Sequence, residues 1–222
     1  MKRRNIYLTD RTWFEDGAHK DPVNVLDHKL EFLYPEFYSL NYDLKLLVSK
    51  EASKEEKDSW FYNDSIEKSG TFEISSFDIA VKDSDSKSVL LIGFTQEIFE
   101  HLIPQIEDTV EVLYLFKCPK INDLAMLSKC RKLKCLHVFW NNSLEKLWDM
   151  TENRELKVLS FLSVMKLKSI KALELSNIEY VTLDSSDNSG NKKEIEFDIA
   201  LFEKMVRLKH LRLIYKDTSV DY

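Results

Sequence analysis

The sequence predicts an α/β fold in which parallel strands alternate with helical or irregular connections. Two observations predict it. A hydrophobic frame recurs through residues 89–214, and between several of its copies a capping residue is followed by apolar residues at helical spacing. A single copy has too little apolar surface to form a core, so neighbouring copies must stack. The stacked strands would form one parallel sheet.

The frame follows the template L-x-x-L-x-L-x-x-N. It is clearest in two segments, which supply Leu133, Leu136, Val138 and Asn141, and Val110, Leu113, Leu115 and Cys118. Four more copies follow the same spacing, and they begin at Val89, Leu156, Ile178 and Leu208. Start positions 89, 110, 133, 156, 178 and 208 are separated by 21, 23, 23, 22 and 30 residues. The longest interval contains a Ser-, Asp- and Asn-rich stretch at 185–193 that is typical of an inserted loop.

These residues resemble the leucine-rich-repeat family over 89–214. The resemblance implies a solenoid: a short curved horseshoe with a parallel sheet, a helical or irregular convex side, and a concave side that commonly binds proteins. The ninth position is Asn141 or Cys118 in two copies but Val164 in a later one, so a continuous side-chain ladder beneath the turns is not expected.

Within each copy we expect the first, fourth and sixth positions to point into the core. For the first copy these are Val89, Ile92 and Phe94. Helical connections are predicted where a capping residue comes before apolar periodicity, at Thr95, Asn122, Ser143 and Asp198. The connection at 165–177 has no such cap.

Residues 1–87 contain no full copy of the frame. Solenoids carry capping structure at their ends, so this segment is predicted to be an N-terminal cap or a small α+β domain, with the repeat domain at 88–222. Strand-like runs occupy 30–34, 44–48 and 72–81. The last copy is followed by a few residues only, so its open edge could support self-association.

The third, fifth and seventh positions of each copy are predicted to project from the concave face. The early strands would place apolar and aromatic side chains there, and such patches mark contact surfaces. Either a partner protein covers them or the N-terminal third does. The predicted partner-binding residues are Val112, Tyr114, Phe116, His137, Phe139, Trp140, Ser160, Leu162, Tyr180, Asp184, His210 and Arg212.

Several classes of site find no support in the sequence. Three cysteines with no C-x-x-C pair support neither a disulfide framework nor a zinc site, and four glycines cannot form a phosphate-binding loop. We predict no catalytic residue, metal or cofactor. The net charge of −6 argues against nucleic acid as the main partner. Without an export signal or an apolar run of membrane length, a cytoplasmic protein is expected.

The function expected from these features is a non-catalytic protein–protein interaction module. Lysine-rich, arginine-poor charge usage suggests a bacterial source, and small size with acidity suggests, more narrowly, a toxin-neutralising immunity protein. Two alternatives remain open. One is a repeat-targeted enzyme with an active site in the N-terminal third, and the other is a structural protein that assembles through its open C-terminal edge.

Overall fold

The chain forms a parallel β-sheet with few helices. The structure is a computed structural model that describes residues 5–7, 44–47, 87–185 and 200–214. The strands are β1 (Asn5–Tyr7), β2 (Leu44–Leu47), β3 (Ser88–Ile92), β4 (Val112–Phe116), β5 (Cys135–Phe139), β6 (Val158–Leu162), β7 (Tyr180–Asp184) and β8 (His210–Ile214). Their spatial order is β1-β8-β7-β6-β5-β4-β3-β2, and every described pair is parallel. The predicted α/β class with a parallel sheet is therefore confirmed.

Strands β3 to β8 lie side by side in the order of the chain. They begin at residues 88, 112, 135, 158, 180 and 210, at intervals of 24, 23, 23, 22 and 30. Leu113, Leu136, Leu159 and Val181 are register partners in four successive strands. The fourth position of the frame therefore occupies the same place in each of these strands.

The frame predicted for the first copy is wrong by three residues. Val89 pairs with Leu113, and Leu91 pairs with Leu115, so Val89 and Leu91 take the fourth and sixth positions. Ile92, which was expected in the core, lies with Leu90 on the opposite face. The reason is that all four residues from Val89 to Ile92 are apolar, so spacing alone cannot tell the two faces apart.

A tight turn ends four successive strands, with one residue in the left-handed region each time. These residues are Gly93, Lys117, Trp140 and Ser163, with φ between 48° and 72°. Each of them directly follows the last residue of its strand, from β3 to β6. The chain therefore leaves the sheet in the same way in each of these four units.

The connections contain less helix than the sequence predicts. Helix α1 (Gln96–Ile106) is confirmed, with Thr95 Oγ1 accepting a hydrogen bond from Ile98 N at 3.4 Å. The connection after β4 has only a 3₁₀ helix, η1 (Ala125–Lys129), whose N-cap is Leu124 and not Asn122. Asp123 Oδ1, one residue before that cap, accepts a hydrogen bond from Ala125 N at 2.7 Å. No helix follows Ser143, so that prediction is wrong. Asp198 lies outside the described residues, and helix α2 (Leu201–Lys204) begins after Ala200.

The uncapped connection at 165–177 contains a second 3₁₀ helix, η2 (Lys171–Leu175). This helix has five residues, far below the length at which a helix is stable by itself, so it depends on packing through residues such as Leu173. Among the described helices, none is long and apolar enough to cross a bilayer.

The main core lies on one side of the sheet, which we call the first face. Alternate residues of strands β3 to β8, such as Leu113 and Leu115, pack there against the connections. Phe99 and Leu102 of α1, Leu127 of η1 and Trp148 join the same cluster. The expectation that Trp148 is a core residue is confirmed, although it is not on a helix.

The amino ends of strands β3 to β8 carry a row of charges made of four lysines and two glutamates. Glu111 pairs with Lys87 at 3.6 Å and Lys134 at 2.6 Å, and Glu179 pairs with Lys157 at 3.4 Å and with Lys209. Each residue of the row directly precedes a strand. Two Lys–Glu–Lys groups therefore connect neighbouring strands at this edge.

Two strands come from the N-terminal third. β2 pairs with β3 at one edge and matches the predicted strand at 44–48, while β1 pairs with β8 at the other. The edge of β8 that was expected to be open is thus occupied by β1. The predicted strands at 30–34 and 72–81 lie outside the described residues, and the domain division at 88 stays a prediction.

Candidate functional site

The predicted partner-binding residues lie together on the face opposite the main core, which we call the second face. Strand register places them in three rows across β4 to β8. The first row is Val112, Cys135, Val158, Tyr180 and His210. The middle row is Tyr114, His137, Ser160, Thr182 and Arg212. The third row is Phe116, Phe139, Leu162, Asp184 and Ile214.

Most side chains of the second face are buried inside the chain. Tyr114 is 6% exposed, Phe116 3% and Arg212 3%. The apolar cluster on this face consists of strand residues together with Trp140, which directly follows β5. We expected these side chains either to meet a partner or to lie under the N-terminal third. Most of the N-terminal third lies outside the described residues.

The middle row is polar although it is buried. Burial lowers the pKa of His137 to about 3 and the pKa of Arg212 to about 9, and it raises the pKa of the Tyr114 hydroxyl. The rings of Tyr114 and His137 stack with 5.0 Å between their centroids. At neutral pH His137 is therefore an uncharged ring in the interior.

An aromatic cluster lies at the carboxyl ends of β4 and β5, and we call it the edge cluster. It consists of Phe116, Lys117, Phe139 and Trp140. The rings of Phe116 and Phe139 stack at 5.4 Å, and the Trp140 ring lies 4.6 Å from Phe139 and 5.3 Å from Phe116. Phe139 and Trp140 are only partly buried. This cluster therefore extends from the buried second face to the surface.

Lys117 places a positive charge on the edge cluster. Its Nζ lies 4.6 Å from the Trp140 ring centroid and 5.7 Å from that of Phe116, within the range of cation–π attraction. Partial burial lowers the pKa of this amine. The left-handed conformations of Lys117 and Trp140 set the directions of both side chains. The cluster thus presents ring surface and an ammonium group at the same point.

No catalytic or metal arrangement is found among the described residues. His137 on β5 and His210 on β8 are separated by two strands, as the sequence predicts, which is too far to share a proton or a metal. Groups of three or more His, Cys, Asp or Glu that could hold a metal do not occur in the described part of the chain. Burial raises the pKa of the Cys135 thiol, which is the opposite of what a nucleophile needs.

The side chains of Asn141 and Cys118, at the ninth position of their copies, each form hydrogen bonds to the preceding unit. Asn141 Nδ2 donates to Cys118 O at 2.9 Å and Ile121 O at 2.8 Å, while its Oδ1 accepts from Leu144 N at 2.8 Å. Cys118 Sγ donates to Leu91 O at 3.6 Å. Both are turn residues, as the frame predicts.

Sequence reasoning missed Asn153. Its Nδ2 donates to Leu127 O at 2.8 Å and Cys130 O at 2.9 Å, and its Oδ1 accepts from Trp148 Nε1 at 2.9 Å. The template places no residue there, although Asn153 lies 23 residues after Cys130, one repeat length. It also missed Lys117, because a template of apolar positions gives no signal for the charged eighth position.

Comparisons with protein-family models, with curated proteins and with solved structures found no match.

Proposed function

We propose that the chain is a leucine-rich-repeat solenoid that binds a partner protein without catalysis. The repeated register, the left-handed residue after each of four strands and the asparagine bonds across one repeat length support the solenoid. Each of these features repeats at about 23 residues, as solenoid units do. A reducing cytoplasm suits Cys118, Cys130 and Cys135, which are buried thiols outside any disulfide.

The edge cluster is the part of the predicted binding surface that carries this proposal. Tyr114, Ser160 and Arg212 are too deeply buried to meet a partner unless the chain rearranges. Phe139 and Trp140 are partly exposed, and rings of this kind provide much of the binding energy in protein interfaces. The proposed contact is therefore the carboxyl-end edge of β4 and β5, and the buried rows behind it hold the rings in place.

The test is affinity capture with matched variants. Trp140 has a φ of 57°, and asparagine tolerates the left-handed region, so Trp140→Asn removes the ring without adding backbone strain. Ser163→Asn is the control, because Ser163 has a φ of 55° at the equivalent position of the next unit. Wild type and Ser163→Asn should capture the same protein from cells of the source organism, and Trp140→Asn should lose it.

Loss of a hot-spot tryptophan typically weakens binding by about 2 kcal/mol or more, which is at least roughly thirtyfold. Unfolding curves should show that all three proteins are folded under the capture conditions, although Trp140→Asn loses the ring contacts with Phe116 and Phe139 and should be less stable than the other two. Equal capture by all three proteins would show that the edge cluster is not the binding site.

A further inference from the structure

The second face is buried across the width of the sheet, from β3 to β8. Leu90 of β3, Val158 of β6 and Arg212 of β8 are each at most 3% exposed. Apart from Trp140, the connections that the structure describes pack against the first face and not against the second. Another part of the same chain must therefore cover the second face.

The strand order requires the chain to cross the whole sheet between β1 and β2. β1 ends at Tyr7 beside β8, and β2 begins at Leu44 beside β3. The two strands occupy opposite edges, seven strand spacings or roughly 34 Å apart. The 36 residues that connect them, 8–43, could extend to roughly 120 Å. Their length therefore allows them to cross on either face.

The direction of this crossing selects the face. From β3 to β8 the chain moves along the sheet in one direction, with its described connections on the first face. From β1 to β2 it moves in the opposite direction. Connections between parallel strands of one sheet are almost always right-handed, and at a fixed hand a reversal of direction puts the connection on the opposite face. Residues 8–43 are therefore expected on the second face.

The same rule assigns the other long segments outside the described residues to the first face. Residues 48–86 connect β2 to β3, and residues 186–199 lie between β7 and β8. Both connections run in the direction of the repeats. Residues 1–4 and 215–222 are too few to bury three rows of side chains. A second copy of the chain is not needed, because the second face is buried within one chain.

We propose that the second face is the docking surface for residues 8–43 of the same chain. The face is then an internal interface and not an open recognition surface. This inference rests on the strand order, on the burial of the second face and on the handedness of parallel connections. It holds whether or not a partner binds the edge cluster.

The composition of residues 8–43 suits the face that they would cover. Seven of these 36 residues are aromatic, compared with 12% of the whole chain, which matches the apolar cluster of the second face. The segment also has eight carboxylates against three lysines or arginines. Arg212 is buried on this face, where the one carboxylate among the described residues is the half-exposed Asp184. A buried guanidinium is stabilised by anionic neighbours, and an acidic cover supplies them.

A photo-reactive side chain on the second face identifies the segment that covers it. Phe139→p-benzoylphenylalanine puts the probe at a partly buried position, and Tyr180→p-benzoylphenylalanine puts a second probe two strands away. After illumination of the full chain, both probes should be cross-linked to peptides from residues 8–43, as identified by mass spectrometry. The matched control is Met126→p-benzoylphenylalanine, because Met126 is partly buried against the first face. It should form no cross-link to residues 8–43.

The native cysteines provide a second measurement. Cys135 belongs to the second face, whereas Cys118 and Cys130 belong to the core of the first face, and all three are buried. In wild type all three thiols should be protected from a thiol reagent. When a Gly/Ser linker of equal length replaces residues 8–43, Cys135 should react at least about tenfold faster, because access governs thiol reactivity. Cys118 and Cys130 should stay protected and serve as internal controls.

Several results would overturn this proposal. Cross-links from the second-face probes only to residues 48–86, to residues 186–199 or to a second copy would do so, as would no cross-link from either probe. A linker variant in which Cys135 stays as protected as Cys118 and Cys130 would also contradict it. If all three cysteines react, the variant has unfolded and the cross-links decide. Capture through the edge cluster is measured separately, so failure here and failure of the proposed function are distinguishable.

Discussion

The two faces of the sheet are both buried, but they are built from different residues. The first face is an unbroken apolar core that runs through every described unit from β3 to β8. The second face has a polar middle row, and its residues His137, Ser160 and Arg212 are each less than 6% exposed to solvent. Apolar positions on the first face follow the repeat, whereas those on the second face change from strand to strand. The repeated apolar residues of the first face therefore hold neighbouring units together, whereas the residues of the second face differ between units.

The largest expected effect tests whether the second face is interior in solution. Phe116→Ala should lower the free energy of unfolding by about 3–5 kcal/mol, close to the roughly 2–5 kcal/mol expected for Leu136→Ala on the first face. Chemical denaturation of both variants measures this. Leu175→Ala is the control, because Leu175 is 78% exposed and its loss should change stability very little.

If Phe116→Ala costs well under 1 kcal/mol while Leu136→Ala remains costly, the second face is an open surface in solution. The claim that both faces are buried would then be wrong, and a partner could contact Tyr114 and Phe116 directly.

The next effect concerns the polar bonds that support the first face. Asn153→Ala should cost about 2–3 kcal/mol, because the buried Trp148 Nε1 loses its acceptor and Leu127 O and Cys130 O each lose one of two donors, keeping only a backbone N–H. Asn177, which is only partly buried and donates to Arg154 O at 3.3 Å one repeat length away, supplies the control Asn177→Ala. Its cost should be within about 0.5 kcal/mol of zero. Equal costs in thermal denaturation would contradict a special role for the buried amide.

A pH effect should distinguish the second face from the first. His137 has its pKa lowered to about 3 by burial, so between about pH 6.5 and pH 3 the unfolded chain binds a proton that the folded chain does not. Stability should therefore fall as pH decreases through this window, by up to about 1.4 kcal/mol per pH unit from this residue.

Substituting His137→Gln should remove that part of the slope. Denaturation at pH 7, 6 and 5 for wild type and His137→Gln provides the measurement. Identical slopes of stability against pH for the two proteins would mean that His137 is protonated in the folded state and that water reaches its side chain.

The smallest effect concerns the charge row at the amino ends. Burial raises the pKa of Glu179, but the hydrogen bond and charge of Lys209, together with Lys157, outweigh this and leave the pKa lowered. Glu179→Gln should cost about 1 kcal/mol at pH 7, because the pairs are partly exposed. This contribution should disappear in wild type as pH falls below about 4.5, the ordinary value for glutamate. A cost that persists unchanged at pH 3 would contradict the ion-pair explanation.

The sequence predicts the sheet correctly where the hydrophobic frame can be assigned in only one way. Leu113, Leu136, Leu159 and Val181 were expected at equivalent places, and the register confirms it. The pattern placed Val89 in the core correctly but failed at Ile92, since a strand that is apolar on both faces fits two frames equally well. Ser143 failed as a helix start because its hydroxyl does not cap a backbone N–H but donates to Pro119 O of the preceding unit.

The candidate site was predictable in part. The alternation of strand side chains correctly grouped Tyr114, His137 and Ser160 in one row. Their burial was not predictable, because it depends on what covers the face, and no local pattern encodes that. The position of Lys117 over Trp140 depends on two left-handed turns in neighbouring units, so it too becomes visible only in three dimensions.

The central claim is that segments one repeat length apart lie next to each other, and disulfide trapping tests it most directly. Lys146 and Ser169 are both exposed and form an isolated parallel bridge, so their Cα atoms should be about 5 Å apart, within disulfide range. Under mild oxidation Lys146→Cys with Ser169→Cys should give a cross-linked peptide by mass spectrometry, while Lys146→Cys with Asn177→Cys should give little. A cross-link only in the second pair, or equal yields in both, would contradict the stacked arrangement.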